Sequence, residues 1–277
     1  MIAAALARAA QRLAARSDSA RLDAELLLAQ VLRLERSQLL ARSEQPLGED
    51  SARLFAALIE RRAQGEPVAY LLGRREFWTL ELEVSAAVLV PRPETELVVE
   101  LALARLPAGP ARVLDLGTGS GAIGLAIARE CPGARVDLVD ASAAALAVAE
   151  QNRTRLRLGN ARALLGDWYA PVAAERYRII VANPPYVALG DPHLDSPELA
   201  FEPRDALVAG PSGLEALAAI AAGALAHLEN AGILILEHGA TQGEACRQLL
   251  AAAGLESIET HRDLASLERA TLGVKPG

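Results

Sequence analysis

The chain has 277 residues, 52% of them hydrophobic and 23% charged, with a formal net charge of −7. That length allows one large domain or two ordinary ones with an ample core, and the acidic balance argues against a protein that grips nucleic-acid phosphates and suits a basic protein partner better. Arginines interrupt the N-terminal stretch, so no signal sequence forms, and no run approaches the ~20 apolar residues of a membrane span, which places the chain in the cytoplasm with no membrane contact and with a monomer as the default state.

Residues 1–73 read as helix after helix. Leu6, Ala10, Leu13 and Ala14 form one apolar stripe, Leu22, Leu26, Ala29 and Leu32 a second, and Leu54, Ala57 and Leu58 mark a later helix after the breaker Pro46-Leu47-Gly48. This spacing predicts a small helical bundle, whose limited core would lean on a neighbour. Residues 74–90 change character: Phe77, Trp78, Leu80, Leu82 and Val84 are β-formers, several in alternation, and predict a strand or hairpin that links two domains. The prolines of Pro91-Arg92-Pro93-Glu94-Thr95-Glu96 stiffen the next loop, and Glu94–Leu106 follows as a helix.

From Ala111 onward strands and helices alternate. Strands are expected at Arg112–Leu116, Arg135–Asp140, Ala161–Leu165, Tyr177–Ala182 and Gly232–Glu237, with a closing pair at Glu256–His261 and Arg269–Val274. Helices fit Gly121–Glu130, Ser142–Leu158, Gly213–Leu228 and Thr241–Ala253. The alternation predicts an α/β domain over residues 91–277 with a parallel, doubly wound sheet.

Asp115-Leu116-Gly117-Thr118-Gly119-Ser120-Gly121 ends the first of these strands and opens a helix. Glycines there let the backbone turn sharply and a ligand approach closely. Nicotinamide, flavin and S-adenosylmethionine (AdoMet) sites all use such a turn. Asp115 favours AdoMet: a carboxylate at that position would repel a pyrophosphate but suits the cationic methionine portion, directly or through water. Asp140 ends the next strand, where a carboxylate accepts hydrogen bonds from both ribose hydroxyls, in AdoMet and in a nicotinamide dinucleotide alike. Gly166-Asp167-Trp168 follows the third strand; in this architecture Asp167 would meet the adenine amine and Trp168 supply a face.

The most informative stretch is Asn183-Pro184-Pro185-Tyr186, which follows the buried fourth strand at the sheet edge where open α/β sheets bind ligands. An amide or aniline-like nitrogen is a poor nucleophile because its lone pair is delocalised. The Asn183 side-chain oxygen and the Pro184 carbonyl can each accept one of its N–H groups, orienting the lone pair toward a methyl donor. Pro185 stiffens that carbonyl, and Tyr186 can pack on the planar group. No strong general base is needed, because the proton can leave after transfer.

With these residues in view, the chain resembles the protein-(glutamine-N5) methyltransferases of peptide-chain release factors (the HemK/PrmC family). The resemblance runs along essentially the whole chain. It is carried by Asp23-Ala24-Glu25-Leu26-Leu27, Gly65-Glu66-Pro67-Val68-Ala69-Tyr70-Leu71, Glu76-Phe77-Trp78 and Val90-Pro91-Arg92-Pro93-Glu94-Thr95-Glu96. It continues through the glycine turn, Gly166-Asp167-Trp168, the Asn183 tetrapeptide, Glu202-Pro203-Arg204-Asp205-Ala206-Leu207 and Glu237-His238-Gly239. Trp78 stands where glycine is usual.

The resemblance implies a Rossmann-like AdoMet-dependent methyltransferase domain with a seven-stranded, mostly parallel sheet. A small N-terminal helical bundle for substrate recognition and a β-hairpin linker would precede it. It implies S-adenosyl-L-methionine as cofactor, touched by Gly117, Thr118, Gly119, Ser120, Gly121, Asp140, Trp168 and Asn183, and class I release factors as protein substrate, their Gly-Gly-Gln glutamine held by Asn183, Pro184, Pro185 and Tyr186. No metal and no stable nucleic-acid partner are expected. The alternative acceptor is an exocyclic amine of adenine or guanine in DNA or RNA, which needs a flipped base and a phosphate-binding surface. A nicotinamide oxidoreductase would explain neither Asp115 nor the tetrapeptide. His238 is expected to serve structure, and for Arg92 and Glu94 a ligand contact and a loop-pinning role are equally open.

Overall fold

The computed structural model describes all residues, 1–277, in two compact units. The first, Met1–Arg74 with Asp195–Phe201, carries α1 (Ile2–Leu13), α2 (Ala20–Leu32), α3 (Arg36–Ala41), α4 (Glu49–Ala63) and α5 (Val68–Leu72). Apolar residues spaced one helical turn apart face inward: Leu6 and Leu13 of α1 meet Leu27 and Leu28 of α2 and Phe55 and Ile59 of α4.

Polar groups also lie inside this unit. Asp23, Glu25 and Arg62 are all buried. Arg62 Nε donates to Asp23 Oδ2 at 2.8 Å and Nη2 to Glu198 at 2.5 Å, while Arg21 and Arg36 bracket Glu25. Asp23 also accepts from the Ser17 and Ser19 hydroxyls just before α2. The segment Asp195–Phe201 is therefore part of the helical unit through Glu198, and through Pro197, which closes against Gly65 at φ +106°.

The second unit, Arg75–Leu194 with Glu202–Gly277, is built on one sheet. Its parallel strands are β3 (Ala111–Leu116), β4 (Ala134–Asp140), β5 (Ala161–Leu165), β6 (Tyr177–Ala182) and β9 (Leu228–Glu237). The antiparallel pair β10 (Glu256–Arg262) and β11 (Glu268–Val274) closes it, giving the order β10-β11-β9-β6-β3-β4-β5. A short hairpin, β1 (Arg74–Phe77) with β2 (Leu80–Glu83), precedes the sheet, and a small pair, β7 (Val187–Ala188) with β8 (Val208–Gly210), follows β6.

Side chains alternate between the two faces of the sheet. Val113, Ile179, Val181 and Ile235 pack on one side with α6 (Glu96–Leu103), α7 (Ala122–Glu130) and α8 (Ala143–Arg155). Leu114, Leu116, Ile180 and Leu236 pack on the other with α9 (Glu215–His227) and α10 (Gly243–Ala252). Both faces are covered, so the strands are near-continuous apolar runs. The hairpin read as a linker buries Phe77, Leu80 and Leu82 in the first of these clusters. Its turn places Trp78 at φ +55°, the left-handed region that glycine enters freely; the Trp78 indole compensates by donating to Glu130 at 3.0 Å.

Breaking a buried ion pair leaves an uncompensated charge, which costs on the order of 3 kcal/mol. We expect Arg62→Met to destabilise the helical unit by about that amount in urea unfolding, because Asp23 remains buried. Arg12→Met, which breaks a solvent-exposed pair with Glu60, should leave stability nearly unchanged.

Candidate active site

Strand order reverses between β3 and β6, which run side by side while their chains lead off to opposite halves of the sheet. Such a switch point leaves a crevice at the carboxyl ends of the strands. The crevice here is a cavity of about 470 Å³ lined by the glycine turn, the ends of β4 and β5, Asn183 and Pro185, and the loops around Leu89 and Pro203.

The turn after β3 is held from below. Asp115 Oδ2 accepts from the Thr118 hydroxyl at 2.6 Å and from Gly124 N at 2.9 Å. Gly117, Gly119 and Gly121 have φ of +67°, +57° and +86°, which ordinary residues rarely adopt. Gly124 permits close packing: a Cβ there would come within 2.2 Å of Leu138 and 2.8 Å of Asp115. Asp140 caps the turn from above, accepting from Gly119 N at 2.9 Å and Ser142 N at 2.8 Å.

Of the residues assigned to cofactor binding, Gly117, Thr118, Gly119, Ser120, Asp140, Asp167, Trp168 and Asn183 line this one cavity. Asp115 and Gly121 do not. Asp115 is 1% exposed and points toward α7, because strand alternation puts it on that face; its contacts are to the turn itself. Gly121 N-caps α7. Of the residues assigned to substrate, Asn183 and Pro185 line the cavity, while Pro184 is buried and Tyr186 lies mostly covered beside it. The Tyr186 carbonyl accepts from Gln242 Nε2 at 2.9 Å.

Asn183 Nδ2 donates to the Thr95 hydroxyl at 3.1 Å, leaving its Oδ1 as the atom free to accept. Thr95 itself borders the cavity. Arg92 takes the loop-pinning role: it pairs with Glu202 at 2.5 Å, and Glu202 also accepts from Val90 N. The pair fastens Pro91-Arg92-Pro93 to the Pro203 loop on the cavity rim. Glu94 is exposed. His238 is fully buried, bonded through Nδ1 to the Gly239 carbonyl and through Nε2 to Thr271; burial lowers its pKa and keeps it neutral. Both ring nitrogens are thus taken up by contacts within the fold.

Residue-by-residue reading of the glycine turn and tetrapeptide missed the part played by residues 87–95 and 202–206. The runs Pro91 to Glu96 and Glu202 to Leu207 were legible as family features, yet their joining depends on a pair far apart in sequence.

The methyltransferase small domain family model matches residues 95–196 and the PrmC N-terminal domain family model residues 4–73. The chain is 51% identical to the release factor glutamine methyltransferase of Xylella fastidiosa (strain Temecula1), over 93% of this chain and 94% of that protein. The chain belongs to the release factor glutamine methyltransferase family. Another member, from Escherichia coli K12, is 46% identical over 93% of both chains. Among solved structures, a methyltransferase from Pyrococcus furiosus superposes with a TM-score of 0.56 at 17% identity, covering 79% of this chain and 99% of its own, a likeness of fold. The fold of this family member is thus a mostly parallel methyltransferase sheet, and no helix in it is long and apolar enough to cross a membrane.

Two buried carboxyls bind protons more tightly folded than unfolded. Burial raises Asp115 to about 6, against the pull of its Thr118 and Gly124 donors, and raises Glu237 to about 7. For a raised carboxyl, stability is full below the unfolded value and is lost as pH rises through the folded one. We therefore expect the stability of Asp115→Asn and of Glu237→Gln, relative to the unsubstituted protein, to rise between about pH 4 and about pH 7, each by up to about 3 kcal/mol whatever the offset at low pH. Denaturant melts at the two ends of that window measure it.

Proposed function

We propose that this chain transfers a methyl group from AdoMet to the side-chain amide nitrogen of the glutamine in the Gly-Gly-Gln motif of class I peptide-chain release factors. The observation that carries the reading is Asn183: it stands at the switch point with its Nδ2 occupied by Thr95, and its Oδ1 shares a cavity with the glycine turn and Asp140. Family membership supports the same reading.

The residues present fit AdoMet. Gly119 leaves open space where a Cβ would stand, so a ligand can lie against the backbone. Asp140 borders the cavity and has lone pairs left for ribose hydroxyls after its two backbone bonds. Trp168 offers a ring face, and Asp167 an acceptor for the adenine amine. AdoMet supplies the electrophilic methyl on a sulfonium.

The protein supplies position and polarity. Asn183 Oδ1 and the Pro184 carbonyl each accept one N–H of the glutamine amide, so its nitrogen faces the methyl with the lone pair directed along the line of transfer. Pro185 fixes the Pro184 carbonyl, since its ring restricts the backbone. Tyr186 packs on the amide plane. With AdoMet bound as methyl donor, the acceptors Asn183 Oδ1 and the Pro184 carbonyl would face the amide nitrogen as positive charge develops on it, and the surplus N–H proton would be lost to water. The two acceptors stabilise that developing charge, and preorganised groups of this kind contribute several kcal/mol together. The helical unit adds recognition surface that a single glutamine cannot provide.

The test offers labelled AdoMet with a release factor, its Gly-Gly-Gln→Gly-Gly-Ala variant, and duplex DNA. Label is expected on the release factor and absent from the variant; label on DNA alone would move the acceptor to a nucleobase. Asn183→Ala should lower turnover roughly a hundredfold or more while AdoMet binding falls less. Asp140→Ala should chiefly weaken AdoMet in calorimetric titration, and an unchanged affinity would contradict the ribose contact.

A further inference from the structure

A primary amide has nearly the same shape after a half-turn about its last side-chain bond, which exchanges oxygen and nitrogen. For Asn183 the two orientations are chemically opposite. One presents an acceptor to the incoming nitrogen; the other presents a donor, which cannot accept its N–H groups. Something in the protein must choose.

The sheet register places the chooser. Leu116 pairs with Ala182 and Ala182 with Leu236. One residue further on, Asn183 and Glu237 stand side by side at the strand ends, on the face covered by α6. Thr95, 3% exposed, enters from the turn before α6 and receives Asn183 Nδ2. Glu237, 1% exposed, has a buried Oε2 with no hydrogen-bond partner, and lies near enough to the Thr95 and Tyr186 hydroxyls, the Arg269 guanidinium from β11 and Glu94 to be influenced by each; Arg92 bears on Tyr186 as well.

A hydroxyl has one hydrogen, and a carboxylate only accepts. With the Thr95 hydrogen directed at Glu237, the Thr95 oxygen can only accept from Asn183. The amide must then offer Nδ2 to Thr95 and Oδ1 to the cavity. We propose that Thr95 and Glu237 are positioning residues for methyl transfer: ionised Glu237 fixes the Thr95 hydroxyl as an acceptor, and Thr95 thereby fixes which atom of Asn183 meets the substrate nitrogen. The inference rests on the reading that Asn183 Oδ1 accepts from the substrate amide.

Protonation reverses the relay. A neutral Glu237 can donate to Thr95, which frees the Thr95 hydrogen for the amide oxygen and lets Asn183 turn. Burial raises Glu237 to about 7, opposed by Thr95, Arg269 and Tyr186 and reinforced by Glu94. Turnover should therefore fall on the acid side of neutrality.

The experiment measures kcat and KM for a release factor across pH, with AdoMet affinity by calorimetry, for the unsubstituted protein, Thr95→Val, Thr95→Ser and Glu237→Gln. Thr95→Val should lower kcat by about tenfold to a hundredfold, the loss expected of a misoriented catalytic group, with AdoMet affinity held within about twofold because no ribose or adenine contact is touched. Thr95→Ser, which keeps the hydroxyl, should recover most of that loss. The unsubstituted protein should show an acid limb near neutral pH that Glu237→Gln lacks, since a glutamine side chain does not titrate. Should Thr95→Val fail to fold, Thr95→Ser and the pH profile of Glu237→Gln still decide the matter. A Thr95→Val protein with undiminished kcat, or a Glu237→Gln protein with the same acid limb, overturns the proposal alone. An unsubstituted protein that binds AdoMet yet labels no release factor overturns the acceptor assignment and this proposal with it.

Discussion

A single buried carboxylate oxygen holds the architecture of the site together. Asp115 Oδ2 receives the Thr118 hydroxyl and the Gly124 amide, tying the end of β3, the glycine turn and the first turn of α7 into one piece. The turn cannot hold its left-handed glycines in place by hydrophobic packing, since glycines bring no side chains. It needs a polar anchor, and a polar anchor under a turn must be buried. The cost appears as a carboxyl raised to about 6 by that burial. Asp140 then fastens the upper side through Gly119 N, so the surface presented to a ligand is backbone held between two carboxylates.

The same logic of strand ends governs the chemistry. Alternation sends Asp115, Asn183 and Glu237 to one face, while Leu116, Ala182 and Leu236 go into the opposite core. The polar ends of three adjacent strands thus share one face, Asp115 against α7 and Asn183 against Thr95 in the turn that leads into α6. The apolar neighbours of these residues on each strand, turned into the opposite core, hold them in place. The register of β3, β6 and β9 is consequently a catalytic constraint as much as a folding one, because a slip of one residue would send every one of these groups into the apolar face.

Much of this was legible in the sequence, for identifiable reasons. The strands β3 to β6 fall within about one residue of the expected bounds, because a buried parallel strand is a dense apolar run bounded by glycine, proline or a charged residue. The tetrapeptide was legible because two prolines after a buried strand leave the chain few conformations. Three features were not legible. Asp115 reads in sequence as a ligand contact, yet only the direction of its side chain, toward α7, shows that it serves the turn. The Arg92–Glu202 pair joins two loops 110 residues apart, and no local pattern encodes such a partner. No element was expected between Tyr186 and Gly213, and the assignment of Asp195–Phe201 to the helical unit rests on Glu198 finding the buried Arg62, a contact that periodicity cannot report.

These illegible contacts share a character that bears on function. Within the sheet unit, Arg92–Glu202 and Asn183–Thr95 secure the chain that leaves β6 after the tetrapeptide and the loop that faces it, as Arg62–Glu198 secures Asp195–Phe201 within the helical unit. Hydrophobic packing could not do this work at a cavity rim, where residues must remain accessible to a ligand and exposed apolar surface is a liability. Directional polar contacts fix a loop without filling the space beside it. Charge-assisted bonds to arginine are suited to the task, because the planar guanidinium holds its geometry when partly solvated. The sheet therefore sets where the reacting groups stand, and a small set of long-range polar contacts sets how the loops around them are held. The first is written in local patterns of apolar residues; the second is written only in the folded chain.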